Sequence, residues 1–292
     1  MSSIQTVSVV GAGQMGSGIA QTAAAAGYDV RLFDRAGDRA AHALAAIAAS
    51  LTRQVDRGQT TQAEADAILA RITMVSTLVE AAQSDLVIEA VPEVETAKTA
   101  LLQELSALLP PHAIIASNTS SIEISKLAAA TDRQDRVIGL HFMKPATSMR
   151  LVEVIRGLAT SAETYEIATA FAHSLGKTTT ESNDFPAFIV NRILVPMINE
   201  AIYALHEGVG DVKSIDTALK LGANHPMGPL ELADFMGLDV VLAIMNVLHE
   251  SRRDDKYRPC PLLEKYVGAG WLGRKSGRGF YDYSGEEAVP TR

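Results

Sequence analysis

In the first part of the chain, short β-rich apolar runs alternate with longer stretches whose apolar residues recur at helical spacing. Residues 4–10 (IQTVSVV) and 28–33 are two such runs, flanking an alanine-rich helical stretch at 17–26 that Gly27 ends, as glycine commonly does just past a helix. Strand signals return at 85–90 (DLVIEA), 113–117 (AIIAS), 137–142 (VIGLHF) and 151–155 (LVEVI). Between the strands at 28–33 and 85–90 the pattern predicts two helices, 38–57 and 61–71, around Gly58; a further helix is expected over 95–108. From residue 187 onward the segments are all helical: 187–205, 214–221, 229–236, 238–248 and 261–269. The first of these is apolar nearly all round, which marks it as buried. Residues 181–186 (ESNDFP) read as the linker, dividing the chain into domains at 1–185 and 186–292.

Composition narrows the classes. The 292 residues are 47% hydrophobic and 21% charged, a globular rather than a disordered balance. A net charge of -8 argues against nucleic acid as a partner. The start, MSSIQTVSVVGAG, has no basic stretch followed by a long apolar run. No apolar run approaches the ~20 residues of a membrane span. The single cysteine, Cys260, excludes an intrachain disulfide and fits a reducing, cytoplasmic setting.

Between the first two strand signals lies Gly11-Ala12-Gly13-Gln14-Met15-Gly16. The motif follows a strand, opens a helix, and precedes a second strand ending in Asp34, the context that makes it specific for a dinucleotide. Gly11 permits the tight turn, Gly13 lets the backbone approach a pyrophosphate, and Gly16 lets helix and strand pack closely. The helix N-terminus offers free N–H groups and partial positive charge to the phosphates. Asp34 accepts from the ribose hydroxyls and repels a 2′-phosphate, which favours NAD over NADP; Arg35 beside it leaves that choice less sharp. The fold class expected is therefore α/β, a Rossmann-type doubly wound sheet with an inserted helical hairpin, followed by an all-α domain that dimerises through its helices.

In such a sheet, ligands sit outside the carboxyl ends of the strands, where Glu93, Ser117, Asn118 and Ser120 fall. Ser120 also fits a capping box with Glu123. Ser50, Arg53 and Arg57 share one face of the first hairpin helix, as a solvated face or as a clamp for an anionic ligand arm. His141 and Glu153 sit inside apolar strands. An antiparallel hairpin centred near Thr147 places them directly opposite, with Cβ atoms ~5 Å apart. A carboxylate in an apolar strand needs a partner, and the histidine supplies one. The pair is either a structural contact or a general base held by its carboxylate; a nicotinamide site in the same domain calls for the base, because oxidising an alcohol requires a group to take the hydroxyl proton. The remaining histidines (His42, His112, His173, His206, His225 and His249) lack metal-ligand spacing.

VVGAGQMGSGIAQ, VIEAVPE, SNTSS, GLHFMKP, LVEVI, FIVNR, KLGANHPMGPLELADFMGLD and KSGRGFYDY together resemble the short L-3-hydroxyacyl-CoA dehydrogenases of the 3-hydroxybutyryl-CoA type, over nearly the whole chain. The resemblance implies that His141 is the catalytic base and Glu153 its orienting carboxylate, with Ser120 and Asn191 at the substrate's reacting oxygen and thioester. Motif and resemblance together give the NAD contacts as Gly11, Gly13, Gln14, Met15, Gly16, Asp34, Ala90, Glu93, Lys98, Ser120, Lys144 and Lys275. Ser50, Arg53 and Arg57 fall at the CoA contacts, Arg57 standing in for a lysine. Two positions depart from the pattern: Lys144 replaces an asparagine, and Ala187 a glycine. The implied partner is an acyl-CoA, and the chemistry serves fatty-acid breakdown among other pathways. Two other readings accommodate the nucleotide motif. One is a gulonate-type dehydrogenase of free hydroxy acids, which needs no CoA contacts. The other is a non-catalytic NAD-binding protein, which has no use for the histidine–glutamate pair.

Overall fold

The apolar runs of the central strands become strands because their side chains are buried on one face of the sheet or the other. The computed structural model describes residues 4–292; the first three residues of the stretch read for an export signal lie outside these. Chain contacts divide the molecule into two units at the Phe188–Ile189 bond.

The first unit runs β1 (Thr6–Val10), α1 (Gln14–Ala25), β2 (Asp29–Phe33), α2 (Gly37–Asp56), α3 (Gln62–Ala70), β3 (Ile72–Met74), α4 (Leu78–Ala81), β4 (Leu86–Glu89), α5 (Glu95–Leu108), β5 (Ile114–Ser117), α6 (Ile124–Ala128), β6 (Val137–Phe142), β7 (Leu151–Arg156), α7 (Ala162–Ser174) and β8 (Thr178–Asn183). The sheet order is β3-β2-β1-β4-β5-β6-β7-β8. Neighbours are parallel except β6 and β7, which pair antiparallel. The order reverses beside β1, the switch point at which doubly wound sheets open a ligand crevice.

The alternation of the strands sorts side chains onto two cores. Val7, Val9, Leu86, Ile88, Ile114, Ala116, Ile138, Leu140, Val152 and Val154 face α1, α2, α3 and α7. Val87, Ile115, Val137 and Ile155 face α4, α5 and α6. By period-two alternation the second face also receives Glu89, Ser117, His141 and Glu153. Its lining thus turns from apolar to polar at the carboxyl ends of β4, β5 and β6.

Glu181, Ser182 and Asn183, which the sequence assigns to a linker, close the edge strand β8. That strand pairs with β7 over residues 178–183. With a neighbour on one side only, it stays mostly exposed and carries polar side chains that an apolar pattern does not register.

The second unit comprises α8 (Val190–His206), α9 (Val212–Gly222), α10 (Pro229–Met236), α11 (Leu238–Arg252), α12 (Pro261–Gly268) and the short antiparallel pair β9 (Tyr281–Asp282) and β10 (Val289–Pro290). Two buried acids organise it. Asp216 accepts from the first amides of α10 and from the Tyr281 hydroxyl. Asp234 accepts from the amides of Phe280 and Tyr281 and the Tyr283 hydroxyl. Burial raises the pKa of both, against these donors. Among the described residues no single helix is long and apolar enough to cross a membrane.

Candidate active site

The glycine loop sits over β1 as the motif requires. Gly11 has φ 106°, and a Cβ there would lie 2.6 Å from the Ala90 carbonyl carbon, so only glycine fits between β1 and β4. A Cβ on Gly16 would collide with the Gly11 carbonyl oxygen, so α1 can close onto the turn only through glycine. Gln14 and Met15 form the first residues of α1, and Ala90 follows β4 with its amide bonded to Val10 at 2.7 Å. Asp34 follows β2; its carboxylate takes the Ala12 amide at 2.8 Å and the Ala36 amide at 3.0 Å. Gly11, Asp34, Arg35, Val91, Pro92 and Leu101 line a 370 Å³ cleft at the switch point. Amides at a helix start, a carboxylate after the second strand and a cleft at the switch point are the features a dinucleotide site needs.

The β6–β7 register pairs Gly139 with Ile155, Leu140 with Val154, His141 with Glu153 and Phe142 with Val152. His141 Nδ1 and Glu153 Oε2 stand 2.8 Å apart, with Glu153 fully buried and the imidazole 9% exposed. The neighbouring strand brings a second wall. Ser117 of β5 lies opposite Gly139, and the Asn118 side-chain Oδ1 accepts the Phe142 amide at 2.8 Å. Loop 118–121 is thereby tied beside the strand that carries His141.

That loop is shaped by Glu93. Its Oε1 accepts from Thr119 Oγ1 at 2.6 Å, Ser121 Oγ at 2.8 Å, and the amides of Ser120 and Ser121 at 2.9 and 3.0 Å. Ser120 Oγ approaches the same atom at 3.3 Å. Ser120 and Glu123 do not form the capping box; Asp184 instead caps α6, accepting the amides of Ile124 and Ser125 at 2.6 and 2.7 Å. Burial opposes ionisation of Glu93, but the Lys98 ammonium and these donors outweigh it and hold its pKa below the ordinary carboxylate value. Lys98 is 1% exposed, 2.6 Å from Glu89 Oε1 and 3.3 Å from Glu93 Oε2. Glu89 also takes Ser117 Oγ at 2.5 Å and the Val91 amide at 2.8 Å. Sequence reading overlooks Glu89. The signal was there in DLVIEA, an acid inside an apolar strand, the same feature that marks Glu153.

The other expected residues are spread over both units. Ser50, Arg53 and Arg57 follow one another along the last turns of α2 and its cap, with the two arginines exposed. Lys144 is exposed just beyond β6. Asn191 is 8% exposed in the first turn of α8, and Lys275 pairs with Asp239 within the second unit.

Residues 6–185 match the family model for the 3-hydroxyacyl-CoA dehydrogenase NAD binding domain, and 188–283 match the C-terminal domain of the same family. The chain is 58% identical to a 3-hydroxybutyryl-CoA dehydrogenase of Bradyrhizobium diazoefficiens, covering 99% of each chain. It is 56% identical to a probable 3-hydroxybutyryl-CoA dehydrogenase of Bacillus subtilis over 96% of this chain and 98% of the relative. The crystal structure of the (S)-3-hydroxybutyryl-CoA dehydrogenase from Ralstonia eutropha superposes with a TM-score of 0.94 at 47% identity, covering 97% of this chain and 100% of that one.

Proposed function

The chain belongs to the 3-hydroxyacyl-CoA dehydrogenase family and is an NAD-dependent oxidoreductase, and we propose that His141 is the general base of its reaction, with Glu153 holding the imidazole in its working tautomer. The reaction is the oxidation of an (S)-3-hydroxyacyl-CoA, of short chain such as 3-hydroxybutyryl-CoA, to the 3-ketoacyl-CoA, and its reverse.

The Nδ1–Oε2 contact of 2.8 Å to a fully buried carboxylate carries the reading. It keeps the neutral ring's proton on Nδ1 and leaves Nε2 free to accept. Bound NAD+ supplies the acceptor for the hydrogen and electron pair that leave C3. As the C3 carbonyl forms, the hydroxyl proton passes to Nε2, and the imidazolium so produced stands against the Glu153 carboxylate. Ser120 holds the oxygen that becomes the carbonyl, and Asn191 holds the thioester. The loop from Gly11 to Gly16, with Asp34, Ala90, Glu93, Lys98, Ser120, Lys144 and Lys275, binds the dinucleotide. Ser50, Arg53 and Arg57 take the CoA arm; neither arginine has an ion-pair partner among the described residues. Residues 1–185 form the NAD-binding domain and 186–292 the helical substrate and dimerisation domain, with a homodimer formed through the C-terminal helices and working in the cytoplasm.

His141→Gln is expected to lower kcat at least ~10²-fold, the scale of general-base loss, in an absorbance assay of NADH consumption with 3-ketobutyryl-CoA. Near-normal turnover in that variant would remove the assignment, and equal activity on the free keto acid would remove CoA from it.

A further inference from the structure

The first unit ends in two consecutive left-handed residues. Ala187 and Phe188 have φ of 65° and 49°, and both are buried, at 0% and 2% exposure. Neither is glycine, and neither has the short polar side chain that draws asparagine into this region. Such backbone persists only where its surroundings impose it, and it gathers at working sites.

What the turn accomplishes here is the direction of one side chain. The Phe188 amide donates to the Phe185 carbonyl at 3.0 Å, closing the turn. The ring then enters the buried cluster that also holds Ile124, Leu127, Val137 and Ile155, on the face of the sheet that receives His141. Its centroid lies 5.7 Å from that of the His141 ring, with the planes inclined at 55°. The imidazole is therefore restrained from two directions. Glu153 holds its edge through Nδ1 at 2.8 Å. One hydrogen bond still leaves the ring free to rock about the Nδ1···Oε2 line; an aromatic ring packed against it removes that freedom.

We propose that Phe188 is a positioning residue for His141: its ring fixes the imidazole plane so that Nε2 faces the substrate hydroxyl, and the strained turn at 187–188 serves to aim it. The proposal rests on His141 being the base. A residue that merely fills the core would affect stability but neither the chemical step nor the mobility of the His141 ring.

Phe188→Leu keeps most of the apolar volume and loses the flat ring; Phe188→Ala loses both. The leucine variant is expected to melt as a folded protein, with kcat lowered about 10-fold, a modest cost for a misaimed catalytic group. KM for the ketoacyl-CoA and for NADH should stay within about twofold of wild type, since ground-state binding is untouched. In ¹³C relaxation of the labelled imidazole, the His141 ring should become more mobile, while the Nδ1–H tautomer that Glu153 holds stays as it is. Unchanged kcat and unchanged ring mobility in the folded leucine variant overturn the proposal, as does a loss confined to KM. His141→Gln is measured alongside. If it retains turnover, the base reading itself fails. If it is inactive while the leucine variant is fully active, only the role of Phe188 falls.

Discussion

At the scale of single residues, Glu89, Glu153 and Asp85 are acids in or beside strands, each held by donors that the sheet brings to it. Asp85 takes the amides of Gln5 and Thr6 at 3.0 and 2.9 Å, the Thr6 hydroxyl at 3.0 Å, and His112 Nε2 at 3.1 Å. Burial opposes its ionisation, but the amides, the hydroxyl and His112 prevail and pull its pKa down from 3.8 to about 2. A folded pKa below the unfolded one means that the ionised carboxylate contributes stability above pH 3.8, and that this contribution is lost as pH falls from 3.8 toward 2. Asp85→Asn should therefore be less stable than wild type at neutral pH, and the difference should narrow through that acid window. Urea unfolding at stepped pH measures it; a gap independent of pH would mean that the charge is not what ties β1 to β4. The site residues differ in how plainly the sequence announces them. His141 and Glu153 could be paired in advance because residues facing each other across a hairpin have numbers of constant sum, and 294 holds for every pair in the observed register. Asp184 gave no such signal, because its partners at 124 and 125 lie far away along the chain and only the fold brings them near.

At the scale of elements, Asp184 does for α6 what a local cap would otherwise do, and Ser125 Oγ joins it at 2.5 Å while also accepting the Leu158 amide. Asp184→Ala should cost about 1–2 kcal/mol, the usual worth of a lost N-cap, read as a lower urea midpoint with an unchanged slope. An unaffected midpoint would mean that water replaces the carboxylate without loss. The same remoteness explains which elements the sequence displays. The central strands are runs of valine, isoleucine and leucine because both their faces are covered. β3 is only Ile72–Met74 and buries Ile72 alone, too short for any period to show. β8 is an edge of threonines and polar residues. In α7 the buried side chains are Thr164, Ala168, Phe171 and Ala172, a stripe too weakly apolar to stand out from its surroundings.

At the scale of the whole molecule, the helical unit exposes several large apolar side chains. Ile193 is 68% exposed, Leu221 81%, Val209 78% and Val240 41%. Removing such side chains from water releases roughly 25 cal/mol per Å², which is why a homodimer is proposed through these helices. Light scattering on eluted enzyme should report twice the chain mass. Ile193→Glu, which would bring a charge into the interface, should shift that mass toward one chain with the helical content intact. A wild-type monomer, or a variant that stays dimeric, would place the contact elsewhere. The Gly11–Gly16 loop, Asp34, His141, Glu153 and Phe188 all belong to the unit that ends at Phe188. On the proposed assignment, electron acceptor and proton acceptor ride on one piece of protein. Substitutions in the helices beyond Phe188 leave that pair of acceptors together.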